Sequence, residues 1–141
     1  MCGICGYISK RKIGDDALEA MNDTMYHRGP NDSGIYQVEV EDTYFGFAQR
    51  RLSIMDLSVL GHQPMFSETN EYVIVFNGEV YNYRDLREEL IEKGHIFKSD
   101  CDTEVILAAY MEWGDAAIEK LDGMFAFAIL NLKTGRTVFA R

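Results

Sequence analysis

Positive charge is scarce in this chain of 141 residues: 14 Lys and Arg stand against 23 Asp and Glu, for a formal net charge of −9. A surface that acidic disfavours nonspecific binding to nucleic acid and to anionic membrane, so neither is expected as a partner. Long apolar runs are absent, and none approaches the roughly 20 residues a helix needs to span a bilayer. The opening residues, Met1-Cys2-Gly3-Ile4-Cys5-Gly6-Tyr7, lack the basic region and apolar stretch of a secretory signal. Cysteines number only three, an odd count in a chain long enough to build a core without disulfides. That points to a reducing, cytoplasmic setting. There are no repeats and no low-complexity or linker-like stretches, so residues 1–141 are expected to form one domain.

What is present reads as strands, then helices, then strands. Ile4 to Ser9 is a short apolar run suited to a buried strand. Asp15-Asp16 opens a helical spacing of Ala17, Leu18, Met21 and Met25, with acids in the first turn and Arg28-Gly29-Pro30 as a stop. Residues 33–40 and 43–49, around a polar turn at Glu39 to Asp42, read as a hairpin. Tyr72 to Asn77 is a strand that the Asn77-Gly78 dipeptide is expected to turn. Helices are expected over Tyr83 to Lys93, with Asn82 as N-cap and Gly94 as stop, and over Thr103 to Trp113, with Asp102 as cap and Gly114 as end. A short helix near Asp115 to Leu121 precedes Met124 to Leu130, a run apolar on both faces, and a turn then leads into Thr137 to Ala140. This order suggests an α+β layer structure with mostly antiparallel sheets.

Chemistry begins at Cys2. A free thiol, with a pKa of about 8.5, is a weak nucleophile at neutral pH unless a base attends it. Removal of Met1 would leave an α-amine on the same residue, with a pKa of about 7.7–8.0, able to take and return the proton. Nucleophile and base would then share one residue. Taken alone, Cys2 also reads as a small buried residue at the start of a strand. Cys2-x-x-Cys5 has zinc or redox spacing, but no second paired motif completes a four-ligand site. Residues three apart on a strand face opposite sides, so Cys5 is read as core and no metal is expected.

Asn77-Gly78 at a strand end offers a side-chain amide and a closely approachable backbone N–H, a suitable pair of donors for a tetrahedral oxyanion, or a plain turn. A free amino acid needs a guanidinium for its carboxylate and a carboxylate for its ammonium. Arg51 and Asp102 are candidates, Asp102 being equally a helix cap; of Arg50 and Arg51, one is read as surface charge. His27-Arg28-Gly29-Pro30 is read as a helix stop in preference to a loop positioned by the site.

Together these residues resemble the glutamine amidotransferases of the N-terminal nucleophile type, and specifically the glutaminase domain of glutamine-hydrolysing asparagine synthetase. The similarity runs through ordered blocks: Met-Cys-Gly-Ile-Cys-Gly at 1–6, His-Arg-Gly-Pro-Asn-Asp at 27–32, Arg-Leu-Ser-Ile-Met-Asp at 51–56, Gly-His-Gln-Pro-Met at 61–65, Phe-Asn-Gly-Glu-Val-Tyr-Asn at 76–82, Asp-Thr-Glu-Val-Ile-Leu at 102–107 and Leu-Asp-Gly-Met-Phe-Ala-Phe-Ala at 121–128. The Arg-Leu-Ser-Ile and Gly-His-Gln-Pro blocks look more like this branch than like sister families that transfer ammonia to sugars or to phosphoribosyl diphosphate.

The resemblance implies a four-layer αββα Ntn-hydrolase sandwich with two antiparallel sheets, truncated at its C-terminal end, since the chain stops at Arg141 inside a strand-like segment. It implies Cys2 as nucleophile with its own amine as base, and Asn77 and Gly78 as the oxyanion hole. Arg51 takes the glutamine carboxylate, Asp102 and Glu79 its ammonium, and backbone groups of Leu52 and Ile54 complete the cradle. Glutamine would be cut through a γ-glutamyl thioester to glutamate and ammonia. No cofactor is implied in this domain; ATP and Mg²⁺ belong to a missing C-terminal synthetase domain that amidates aspartate. That domain and glutamine are the implied partners, with a homodimer also open. The readings left alongside are an amidotransferase domain serving another acceptor and an inactive binding module. A chain that keeps Met1 is expected to be inactive.

Overall fold

A computed structural model describes residues 2–52 and 59–141. The strands are β1 (Gly3–Ser9), β2 (Asp32–Val40), β3 (Thr43–Arg51), β4 (Met65–Phe66), β5 (Tyr72–Val80), β6 (Gly123–Asn131) and β7 (Thr137–Ala140). The helices are α1 (Asp15–Asp23), α2 (Tyr83–Glu92), α3 (Asp102–Trp113) and α4 (Ala116–Lys120). Two antiparallel sheets result, one ordered β1-β3-β2 and the other β4-β5-β6-β7.

The alternation of side chains along β5 explains how the layers stack. Val73 and Val75 point inward and, with Ala128 and Leu130 of β6, meet Val40, Phe45 and Phe47 of the three-stranded sheet. Ile74 and Phe76 point outward and, with Phe127 and Ile129, meet Leu86 and Leu90 of α2 and Val105 and Ile106 of α3. A strand covered on both faces must be apolar at every position, which is why Tyr-Val-Ile-Val-Phe and Met-Phe-Ala-Phe-Ala-Ile-Leu carry no polar alternation. Each large side chain so buried contributes roughly 1.5–3 kcal/mol. On the far side, α1 lies against β1, β2 and β3 with Leu18 fully buried. The layers are therefore helix, sheet, sheet, helix, the αββα order expected.

The β2–β3 hairpin forms where expected, closing on Glu41 and Asp42, both at positive φ (47° and 55°), between strands that end at Val40 and resume at Thr43. Two expectations are corrected. The strand β5 does not turn at Asn77-Gly78; it runs on to Val80, still paired residue by residue with β6. Neither proposed side-chain cap is made. Asn82 instead spans to the α4–β6 junction, donating to the Lys120 carbonyl (2.8 Å) and accepting from Asp122 N–H (3.0 Å). Cys101 holds the N-cap position of α3, and Asp102 lies just inside the helix. No helix among the described residues is long and apolar enough to cross a membrane.

Candidate active site

Register brings the chain's start to the site. Gly3 of β1 sits opposite Arg50 of β3, so Cys2 lies beside the continuation of β3. Leu52 N–H donates to Cys2 Sγ at 3.3 Å, and the Cys2 carbonyl accepts from Arg28 Nε at 3.0 Å. Strand parity separates the two arginines. Arg50 turns to the α1 side, pairing with Asp23 and lying 5.3 Å over the Tyr26 ring, while Arg51 is buried in the cleft with its guanidinium packed against Gly61.

The opposite wall is the free edge of β5. In an antiparallel pair, alternate residues send both backbone groups to the same edge. Phe76 N–H is taken by Gln63 Oε1 (2.7 Å) and Val80 N–H by Asp102 Oδ2 (3.1 Å), so both point away from β6. Gly78 lies midway between them, and the same alternation sends its N–H to that edge. Gly78 adopts φ 156°, and any Cβ there would collide with the β6 backbone at Met124 and Phe125. Asn77 shares the inward face with Val73 and Val75; its Oδ1 is buried and has no hydrogen-bond partner among the described residues.

Asp102 is 7% exposed. Burial lifts its carboxyl above the ordinary range, opposed by backbone N–H donors of Val80, Thr103 and Asp102 itself, and reinforced by the nearby Glu79 charge. Cys2, Arg51, Leu52, Gly78, Glu79 and Asp102 all line one cleft of about 250 Å³, below the roughly 300 Å³ at which drug-sized pockets begin and suited to a free amino acid. Asn77 adjoins the cleft through its neighbours Phe76 and Gly78. Ile54 lies outside the described residues.

The cleft also contains residues that were given no role from sequence: Gln49, Gln63, Phe76, Cys101, Thr103 and Met124. Gln49 and Gln63 are buried polar groups, at 1% and 5% exposure. The signal for Gln49 was a glutamine inside the apolar run of β3. Arg28, read as part of a helix stop, reaches the Cys2 carbonyl. Cys101 is held inert by burial, which pushes its thiol up. Cys5 is half-buried, not full core. It lines a larger apolar groove of about 610 Å³ between β1 and β7, where burial likewise raises its thiol. That groove is lined mostly by apolar side chains, whereas the candidate site residues gather in the smaller cleft.

Comparison with known proteins identifies relatives of this chain. Asparagine synthetase [glutamine-hydrolyzing] 1 of Bacillus subtilis (strain 168) is 45% identical over 93% of this chain and 21% of that protein. Asparagine synthetase [glutamine-hydrolyzing] 2 of Arabidopsis thaliana is 38% identical over 100% of this chain and 24% of that protein. The chain thus spans about a fifth to a quarter of the length of these relatives. Among solved structures, glutamine phosphoribosylpyrophosphate amidotransferase from B. subtilis, complexed with ADP and GMP, superposes with a TM-score of 0.50 at 23% identity, covering 61% of this chain and 21% of that one; it shares the fold. The glutamine amidotransferase domain model matches residues 1–141 throughout, and the chain belongs to that family.

Proposed function

We propose that this domain hydrolyses the side-chain amide of glutamine at Cys2 and supplies the ammonia to a synthetase domain that amidates aspartate to asparagine. The observation that carries the reading is the cleft itself: the thiol at the chain's start meets the Leu52 N–H, with buried Arg51 and buried Asp102 lining the same small space.

The α-amine of Cys2 takes the thiol proton, and the thiolate attacks the glutamine Cδ. The oxyanion that forms is received by the Asn77 amide and the Gly78 N–H, one such donor being worth about 2.7–4 kcal/mol. Collapse breaks the C–N bond, and the ammonium of Cys2 returns its proton to the leaving ammonia. Water then attacks the γ-glutamyl thioester, releasing glutamate and the thiol. Arg51 holds the substrate carboxylate, Asp102 and Glu79 its ammonium, with backbone groups of Leu52 and Ile54 completing the grip. These steps need no cofactor; ATP and Mg²⁺ serve the acceptor's activation in the synthetase domain. The setting is cytoplasmic, and neither nucleic acid nor membrane is a partner.

The test is glutamate release from glutamine by Met1-free protein. Cys2→Ala abolishes it, and a glutamine-analogue electrophile labels wild type at Cys2 alone. Unchanged turnover in Cys2→Ala would overturn the mechanism, and an unlabelled wild type would leave only a binding module.

A further inference from the structure

The backbone of β5 beside Asn77 is held by side chains where a strand would ordinarily hold it. The strand β4 is two residues long, with Met65 opposite Ile74; continuing that register would set residue 63 opposite Phe76. There the Gln63 side chain takes over, its Oε1 accepting from Phe76 N–H at 2.7 Å. On the other side of the same residue, Gln49 Nε2 donates to the Phe76 carbonyl at 2.9 Å. Gln63 has a second contact: its Nε2 donates to Thr103 Oγ1 at 3.2 Å. Thr103 adjoins Asp102, which accepts from Val80 N–H. The links therefore close a ring, from Gln63 to Phe76, along β5 past Gly78 to Val80, across to Asp102 and Thr103, and back to Gln63.

We propose that Gln63 and Thr103 are positioning residues for the reaction, fixing the Gly78 N–H at a set distance from the ammonium-binding Asp102. Neither needs to touch the reacting atoms. Among the described residues, the ring encloses the one N–H on this edge, between Phe76 and Val80, that no side chain takes. Its rigidity sets where an oxyanion can form relative to an amino acid anchored at Asp102. Both residues are nearly fully buried, at 5% and 4% exposure, so each link is shielded from water and a replacement cannot be re-solvated. Gln49 steadies the next peptide, Phe76–Asn77, from β3, the strand that also carries Arg51.

This inference rests on the glutaminase reading, and the test separates the two. Gln63→Met keeps volume and loses both bonds, while the Asp102–Val80 link remains. Turnover is measured per site titrated by iodoacetamide, which needs neither oxyanion donors nor amino-acid recognition. The expected result is a kcat about 10- to 100-fold lower, with KM for glutamine changed less than about threefold. Should Gln63→Met not fold, Thr103→Val and Thr103→Ser carry the test: Val loses the hydroxyl and lowers kcat about tenfold, and Ser restores it. A purely structural role would lower the melting temperature while leaving kcat per titrated site unchanged, and that result overturns the inference. Equal kcat in the Val and Ser variants overturns it as well. A wild type that releases no glutamate overturns the glutaminase reading, and the inference with it.

Discussion

The proposed role of Asp102 sets substrate recognition against stability. Its carboxyl is raised by burial, so the folded protein keeps this proton to higher pH than the unfolded chain does. Stability from this group is therefore greatest below the ordinary carboxylate pKa, falls as pH rises toward the raised value, and stays reduced above it. Asp102→Asn removes the buried charge and keeps an oxygen for Val80 N–H. At neutral pH its melting temperature should match or exceed wild type, the difference shrinking toward pH 4. KM for glutamine should rise about 10- to 100-fold, the worth of a charge-assisted bond; thermal melts and kinetics on the same samples check both. An unchanged KM removes Asp102 from the site. Arg51 and Asp102 stood out as candidates in the sequence because a free amino acid demands a guanidinium and a carboxylate, and Cys2 because of its place next to Met1; the fold brings all three to one cleft. The sequence did not reveal Arg28, Gln49 or Gln63, whose importance lies in backbone groups they reach across the fold, at Cys2 and Phe76.

The β5–β6 pair is the element on which most of the site depends. Gly78→Ala would place a methyl group into the β6 backbone at an unfavourable φ. It should cost at least about 1–3 kcal/mol from conformation alone and cut kcat by moving the strand edge. Gly94→Ala is the control: Gly94 also has a positive φ (99°) but nothing near its Cβ, so it should lose stability in urea unfolding while kcat holds. Equal kcat in both variants would separate the Gly78 edge from catalysis. Long elements were legible because their apolar spacing is periodic. The two-residue β4 was not, since a pair of residues has no period. The Asn-Gly signal misled because pairing with β6 through Val80 outweighs a local turn preference. Asn82 and Asp102 resemble helix caps by residue type, but tertiary partners at Asp122 and Val80 claim their side chains.

At the scale of the whole molecule, the α+β class was legible in the order of strands and helices, while the αββα layering came only with the family resemblance and the junction between layers not at all. The apolar groove between β1 and β7 and the cleft at Cys2 arise from how two sheets stack, which no local pattern encodes. The same stacking makes activity conditional on the terminus. A protein that retains Met1 carries an amide in place of the Cys2 amine and should release no glutamate. Mass spectrometry of the N-terminus alongside the assay checks this, and turnover with Met1 intact would refute the amine as base.

That condition acquires a clock from the pairing of β1 with β3. Gly3 is locked opposite Arg50, so the first residues stay unpaired during synthesis until the chain has grown by nearly 50 residues. At about 5–20 residues per second that interval is roughly 3–10 s. Once the terminus has left the ribosome, it is most accessible to an aminopeptidase before β1 docks and the Cys2 carbonyl engages Arg28. Slowing translation ahead of β3 should lengthen the window and raise the processed fraction. The same register that delivers the nucleophile to its cleft also sets how long the ribosome leaves it available for processing.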